Sequence, residues 1–310
     1  MSILLPYERD KDCPLVTVKD LTLYRGGNLI LRDINMEVCN VKRPGVEQGQ
    51  VVLLLGRSGR GKTSLAMAMT GLLKIDEPSS GQILIGEDQH PVTRGEVGMV
   101  FQDYMVFDHL NVKQNLVLAA HLGEHQYQKR SKWTDVPVEF FKRQKHWFTK
   151  RSEYIKKAEH YANLCGLMSY WREGKRVDEL SGGTKQRLAI CAQILCSQEI
   201  LFLDEPLSGL DAPMKHDICK LISEVAQLDE FHTTFIISHD TRYAASVADI
   251  IYVLGFETDK ETDKFIPGAT IVYEPEDLAL EGLAWRPDIM EDLEFRKLIN
   301  TLEFDIMPKI

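Results

Sequence analysis

The chain has 310 residues, 44% of them hydrophobic, which is long for one compact domain, short for three and enough for a full core. Its net charge of −9 argues against free nucleic acid as a partner. The acidity is concentrated, because residues 257–310 carry 14 acidic and 6 basic side chains, a net of −8, and leave the rest almost neutral. No apolar run approaches the roughly 20 residues that span a bilayer, and the opening MSILLPYERDKD is too short and too acidic for a signal peptide. Any work at a membrane is therefore expected to go through a partner. Six cysteines without a CxxC pair read as reduced, partly buried thiols of a cytosolic protein.

In chain order, VTVKDLTLYRG (16–26) and LILRDINMEV (29–38) alternate and are predicted strands. A connector containing Pro44 and Gly45 follows. VVLLLG (51–56) is a continuous apolar run, as expected of a strand buried on both faces. It leads through a glycine-rich turn into a predicted helix, TSLAMAMTGLL (63–73). Residues 103–183 show helical pattern with little strand and read as an inserted helical subdomain. Within it, the insertion 121–157 contains a basic and aromatic stretch at 129–157. That stretch is a solvated or partner-facing helix, a surface against anionic lipid, or a nucleic-acid contact. His121 and His125 share a helix face, but further metal ligands nearby are lacking, so they read as surface histidines. EILFLDEP (199–206), TTFIISHD (233–240) and DIIYVL (249–254) are further short apolar strands alternating with helices, which predicts a parallel α/β sheet. In the acidic segment, GATIVYEPEDLALEGLAW (268–285) reads as a strand and then a helix anchored by Leu278, Leu280, Leu283 and Trp285, and DIMEDLEFRKLINTLEF continues amphipathically.

Two stretches carry chemistry. Gly56-Arg57-Ser58-Gly59-Arg60-Gly61-Lys62-Thr63-Ser64 fits GxxxxGK[ST] at every fixed position. Such a loop turns its backbone N–H groups inward around phosphates, where side chains would obstruct the wrap. Lys62 adds a point charge, Thr63 a hydroxyl ligand for Mg2+, and the following helix its positive end. Leu201–Glu205 ends an apolar strand in two acids: Asp204 is placed to hold the Mg2+ and Glu205 to polarise an attacking water. The second stretch, LSGGTKQR at 180–187, is another device shaped for phosphate, with no lysine of the Lys62 kind to accompany it.

Taken together, Gly56–Ser64, Gln102, Leu180–Gln186, Leu203–Pro206, Ser208–Asp211 and His239 resemble the ATP-binding cassette (ABC) ATPase family, in the family's order and across roughly residues 16–254. The resemblance implies a P-loop NTPase (RecA-like) α/β core with an N-terminal antiparallel β-subdomain and the inserted helical subdomain, all within residues 1–256, followed by the extension 257–310. It also implies a head-to-tail dimer in which Ser181, Gly182, Gly183 and Thr184 close over the ATP held by the other chain's phosphate loop, so that one lysine per chain suffices. The partner is a second copy or a related ATPase. By the same resemblance Gln102 senses Mg2+ and the attacking water, His239 contacts the γ-phosphate, and Asp211 crosses the dimer interface. Tyr24 stacks on adenine or is simply a strand-end tyrosine. Arg57 and Arg60 add charge to the loop, and Thr184 departs from the commonest signature, which has glutamine there. FQDYMVFDHLNVKQNL (101–116) resembles the stretch where importer-type transporter ATPases receive a membrane subunit, with Met105, Val106, Phe107 and Leu110 suited to such a groove. The expected function is thus an ATPase at the cytoplasmic face of a membrane, powering solute transport through separate permease subunits, with or without a solute-binding protein. The alternative is a soluble ABC ATPase acting on nucleic acid, the ribosome or a defence complex.

Overall fold

The computed structural model describes residues 8–42, 49–75, 78–126, 136–196, 199–227, 232–281, 283–284, 286 and 288–310, with side chains of 125–149 and 274–276 outside the description. Most of the basic and aromatic stretch, the side chain of His125, and Trp285 therefore lie outside the described residues. The chain divides into two units: residues 1–102 with 199–310, and residues 103–198.

The first unit holds two sheets. One is antiparallel, in the order β2 (Asn28–Lys42), β1 (Glu8–Arg25), β4 (Ser80–Ile85), β5 (His90–Pro91). A turn at Gly26 and Gly27, both at positive φ, closes the long β1–β2 hairpin. The other sheet has the order β10 (Thr270–Asp277), β9 (Ile250–Gly255), β3 (Gln50–Leu55), β8 (Thr233–Ser238), β7 (Ile200–Asp204), β6 (Gly98–Val100). It is parallel from β9 to β6, and β10 pairs antiparallel at its edge. Every residue of β3, β7, β8 and β9 is buried, which is why these strands read as unbroken apolar runs.

A common core joins the sheets to α1 (Lys62–Met69): Leu23, Leu31 and Ile34 from the hairpin, Leu54, Phe202, Phe235 and Tyr252 from the parallel sheet, Leu65 and Met69 from the helix. Phe202 and Phe235 stack with ring centroids 4.4 Å apart. Among the described residues the other α-helices of this unit are α6 (Ala212–Ala226), α7 (Thr241–Ala245) and α8 (Leu293–Asn300), the last continued by a π-helical turn over 301–306.

Three expectations need correction, two in this unit and one, at His121, in the second. The helix predicted over 63–73 ends at Met69, because Gly71 takes a left-handed φ of 66° that turns the chain away. Among the described residues no helix begins directly after β10: the Asp277 carboxylate accepts from the N–H of Leu280, and the Leu278 carbonyl accepts from Leu283 and Ala284, which makes turns. Leu278 and Leu283 are buried as anchors, but Leu280 is exposed.

The second unit is helical: α2 (Val112–Gln126), α3 (Val136–Leu164), α4 (Met168–Glu173) and α5 (Gly182–Cys196). All of α5 belongs to it, beyond residue 183, because α2 and α5 lie backbone to backbone. A Cβ on Gly123 would come 2.1 Å from the Leu195 carbonyl oxygen, so no other residue fits there. His121 is not a bare surface histidine, since its ring meets Tyr154 edge-on at 5.1 Å. Met105 and Phe107 are exposed, and Val106 and Leu110 partly so. All six cysteines are free thiols. Among the described residues no helix is long and apolar enough to cross a membrane.

Candidate functional site

The phosphate loop runs from the end of β3 into α1, and its backbone demands glycine twice. Gly61 has φ 80°, and a Cβ there would lie 2.8 Å from Leu31 and 3.1 Å from Ile30. At Gly56 a Cβ would collide with the Leu254 carbonyl oxygen at 2.4 Å. The Arg60 N–H donates to the Arg57 carbonyl at 3.3 Å and closes the loop's turn. Ser58 and Gly59 are exposed on it, as is Arg57, whereas Ser64 is buried in α1.

Lys62 is buried, with its ammonium donating to the carbonyls of Gly56 at 2.6 Å and Arg57 at 3.1 Å. Glu205 lies 4.0 Å from it. Burial lowers the Lys62 pKa, opposed by the charges of Glu205 and Asp204. The Thr63 hydroxyl donates to the Asp204 carboxylate at 2.8 Å. Burial raises the Asp204 pKa, against the pull of the Thr63 hydrogen bond. Glu205 accepts at one oxygen from the backbone N–H of His239 at 3.3 Å and from the Ser238 hydroxyl at 3.4 Å, and the same oxygen meets the His239 Nδ1 at 2.8 Å. The ends of β3, β7 and β8 thus bring Lys62, Thr63, Asp204, Glu205 and His239 into one cluster. Parallel adjacency does this: β8 pairs with both β3 and β7, so their carboxyl ends open side by side.

Ser238 escaped the sequence reading although it precedes His239 directly. It both donates to Glu205 and accepts from the Asp240 N–H at 3.0 Å, while Lys215 pairs with Asp240 at 2.5 Å.

Other expected residues lie outside the cluster. Tyr24 is half-buried at the end of β1, and its backbone N–H donates to Ser79 at 2.9 Å. Gln102 is exposed after β6. Asp211 caps α6 by accepting from the Met214 N–H at 3.0 Å. Arg60 is turned away from the loop's inner side, toward Phe256 and Ile310.

In the helical unit, Ser181 precedes α5, and its hydroxyl lies 2.9 Å from that of Thr184. Ser181 and Gly182 are exposed, while Gly183 and Thr184 are buried. The exposed start of this 15-residue helix is suited to an anion.

A family model described as "ABC transporter" matches residues 43–208. The chain is 30% identical over 243 residues to the "Fe(3+) ions import ATP-binding protein FbpC 1" of Pectobacterium atrosepticum, covering 77% of this chain and 58% of that protein. It is 30% identical over 269 residues to the "Spermidine/putrescine import ATP-binding protein PotA" of Spiroplasma citri, covering 85% and 65% respectively. To the "Sulfate/thiosulfate import ATP-binding protein CysA" of Synechocystis it is 31% identical over 244 residues, covering 77% and 58%. The chain thus spans 58 to 65% of the length of these curated relatives. Among solved structures, cbiO1 from Clostridium perfringens, part of the ABC transporter complex cbiONQ, aligns with a TM-score of 0.63 at 23% identity, covering 94% of this chain and 100% of that one. A nucleotide-free ATP-binding cassette from an ABC transporter aligns with a TM-score of 0.60 at 20% identity, covering 92% and 98%.

Proposed function

The chain belongs to the ABC transporter family, and on that premise we propose that it is an ATP-binding and ATP-hydrolysing subunit that powers solute transport through separate transmembrane subunits. One observation carries the reading: Lys62, Thr63, Asp204, Glu205 and His239 meet at the ends of three parallel strands, behind a loop that demands glycine at 56 and 61.

The residues fit a magnesium nucleotide. Thr63 and Asp204 present hard oxygen donors 2.8 Å apart, and a carboxylate that burial penalises is a place where a cation is favoured. These two side chains would hold Mg2+, with Gln102 assigned to the same ion, and its chemistry there is to offset the charge of the phosphates. Lys62 exchanges two neutral carbonyl acceptors for charged phosphate oxygens, a stronger pairing. The N–H groups of Gly59 and of Gly61 to Ser64 bind phosphate, while that of Arg60 is taken by the Arg57 carbonyl, and Tyr24 stacks on the adenine. Glu205 takes the proton of the attacking water, oriented by Ser238 and by His239, which also reaches the γ-phosphate. Ser181, Gly182, Gly183 and Thr184 serve the ATP of a second copy, and Asp211 lies at that interface.

The relatives named above are import subunits for different cargoes, iron, polyamines and sulfate among them. Import is therefore the direction proposed here. The chain is held at the membrane peripherally by its permease partners, against exposed Met105 and Phe107. Two variants test the chemistry. Lys62→Ala should abolish ATP binding, whereas Glu205→Gln should bind ATP normally and hydrolyse it about 10²–10⁴-fold more slowly. Retention of wild-type turnover by either would overturn the site. Affinity capture from gently solubilised membranes tests the coupling: polytopic membrane chains in stoichiometric yield support transport, and ribosomes or nucleic acid in their place refute it.

A further inference from the structure

Arg60 stands inside the phosphate loop, yet its guanidinium is spent on the far side. It lies over the ring of Phe256, with Cζ 4.2 Å from the centroid, and 5.5 Å from the ring centroid of Phe265. Its Nη2 donates to the main-chain oxygen of Ile310 at 2.9 Å. Its Nε is buried without a hydrogen-bond partner, as befits an arginine laid flat on an aromatic face. Both partners are themselves fixed. Phe256 and Phe265 pack with centroids 5.9 Å apart, and a bridge between Thr258 and Phe265 closes the intervening loop. Ile310 is 5% exposed and lies against Gly255, where a Cβ would sit 2.4 Å from the Ile310 Cβ. The returning chain is tied to β2 as well, since Arg32 and Ile30 exchange backbone hydrogen bonds with Ala269 at 2.9 Å each.

The Arg60 backbone N–H closes the turn that shapes the loop, and its side chain is gripped from outside by residues 256–310. From this arrangement we infer that Arg60 is a positioning residue: it acts on nucleotide through the loop's backbone, not by touching phosphate, and it makes the acidic segment 257–310 part of the apparatus that sets nucleotide affinity. The inference rests on the nucleotide-binding reading above. A planar guanidinium suits the task because it stacks and donates at once, which an ammonium cannot do.

The test separates charge from anchoring. Binding of fluorescently labelled ADP and the kcat and KM of ATP turnover are measured on the full chain carrying Arg60→Ala, Arg60→Lys, Phe256→Leu, and Arg60→Ala with Phe256→Leu. Arg60→Ala is expected to weaken binding roughly tenfold, the order set by one stacked cation and one hydrogen bond, and to raise KM far more than it lowers kcat. Arg60→Lys keeps the charge and should not restore affinity. Phe256→Leu keeps Arg60 itself and should weaken binding as much, with the double variant no worse than either single one. The inference is overturned if Arg60→Lys binds like wild type, if Phe256→Leu has no effect, or if the two substitutions add. Lys62→Ala is run alongside. If it binds nucleotide normally, the site reading itself fails; if it does not bind while Arg60→Ala does, only the role of Arg60 falls.

Discussion

Glu205 holds a left-handed backbone, φ 50°, directly after β7. A non-glycine residue there costs on the order of 1–3 kcal/mol. The cost is offset locally, because its N–H donates to the Ile237 carbonyl at 2.8 Å and one carboxylate oxygen meets three groups of Ser238 and His239. Strain is thus kept at the residue proposed to act on water, and it aims the carboxylate at Lys62. The buried thiols of Cys39 and Cys219 and the half-buried one of Cys196 are the opposite case, groups kept from reacting. Burial pushes the thiols of Cys39 and Cys196 up to about 11 and that of Cys219 up to about 12. At about pH 8 their thiolate fraction falls roughly two to three orders of magnitude below that of a free cysteine. Labelling with a thiol-exchange reagent should therefore leave these three unmodified in the native protein and modify all of them in urea. The sign for stability follows. Folding holds these protons more tightly, so stability is unaffected below the unfolded value of 9.0 and falls as pH rises past it. Rapid native labelling of Cys219 at about pH 8 would contradict this account of its burial.

At the scale of elements, an ion pair joins the two sheets of the first unit. Arg9 on β1 binds Asp277 on β10 through two nitrogens, at 2.7 and 3.2 Å, and also donates to the Cys39 carbonyl and the Gln50 side chain. The two side chains are only 11% and 19% exposed. Arg9→Met leaves Asp277 charged and unpaired, so it should cost about 3 kcal/mol in urea unfolding, with Arg9→Met and Asp277→Asn together costing less than the two summed. A loss under about 1 kcal/mol would make it an ordinary surface pair. The same sheets explain what was legible in the sequence. β3, β7, β8 and β9 are buried on both faces, so their apolar runs announced them. β5 and β6 went unnamed because they are short, and β4, β5 and β6 include Gly81, Pro91 and Gly98, residues that read as turns until a neighbouring strand pairs with them. The Asp277 turn was missed because leucines at 278, 280 and 283 mimic helical spacing, and only the carboxylate's bond to the Leu280 N–H decides otherwise. In the candidate site, Lys62, Thr63, Asp204 and Glu205 stand in local motifs, and His239 was singled out by the family resemblance alone. The turning of Arg60 toward Phe256 and Ile310 was legible from neither, since it depends on residues about 200 to 250 positions away.

At the scale of the whole molecule, the second phosphate-shaped device belongs to the helical unit while the loop and its carboxylates belong to the other. Ser181 and Gly182 lie exposed at the start of α5, with the Ser181 hydroxyl partnered by Thr184. A helix start of this kind offers N–H groups and a positive end to an anion. The proposed head-to-tail dimer gives it one, and a cyclic pair of identical chains makes two equivalent composite sites, each with a loop from one chain and a signature from the other. That geometry has a consequence no single-chain site shares. Lys62→Ala destroys the loop half and Ser181→Arg the signature half, so each variant alone should be inactive. When the two purified variants are mixed, half of the dimers become mixed pairs, and each pair contains one site built from an intact Lys62 and an intact Ser181. Turnover should then recover to roughly a quarter of the wild-type rate for the same total protein, with independent sites and random exchange. A chain carrying both substitutions, mixed with Lys62→Ala, regains no intact site and should stay silent. If the two single variants stay silent when mixed, although cross-linking shows that they pair, Ser181 does not serve the partner's nucleotide. The signature must then act within its own chain.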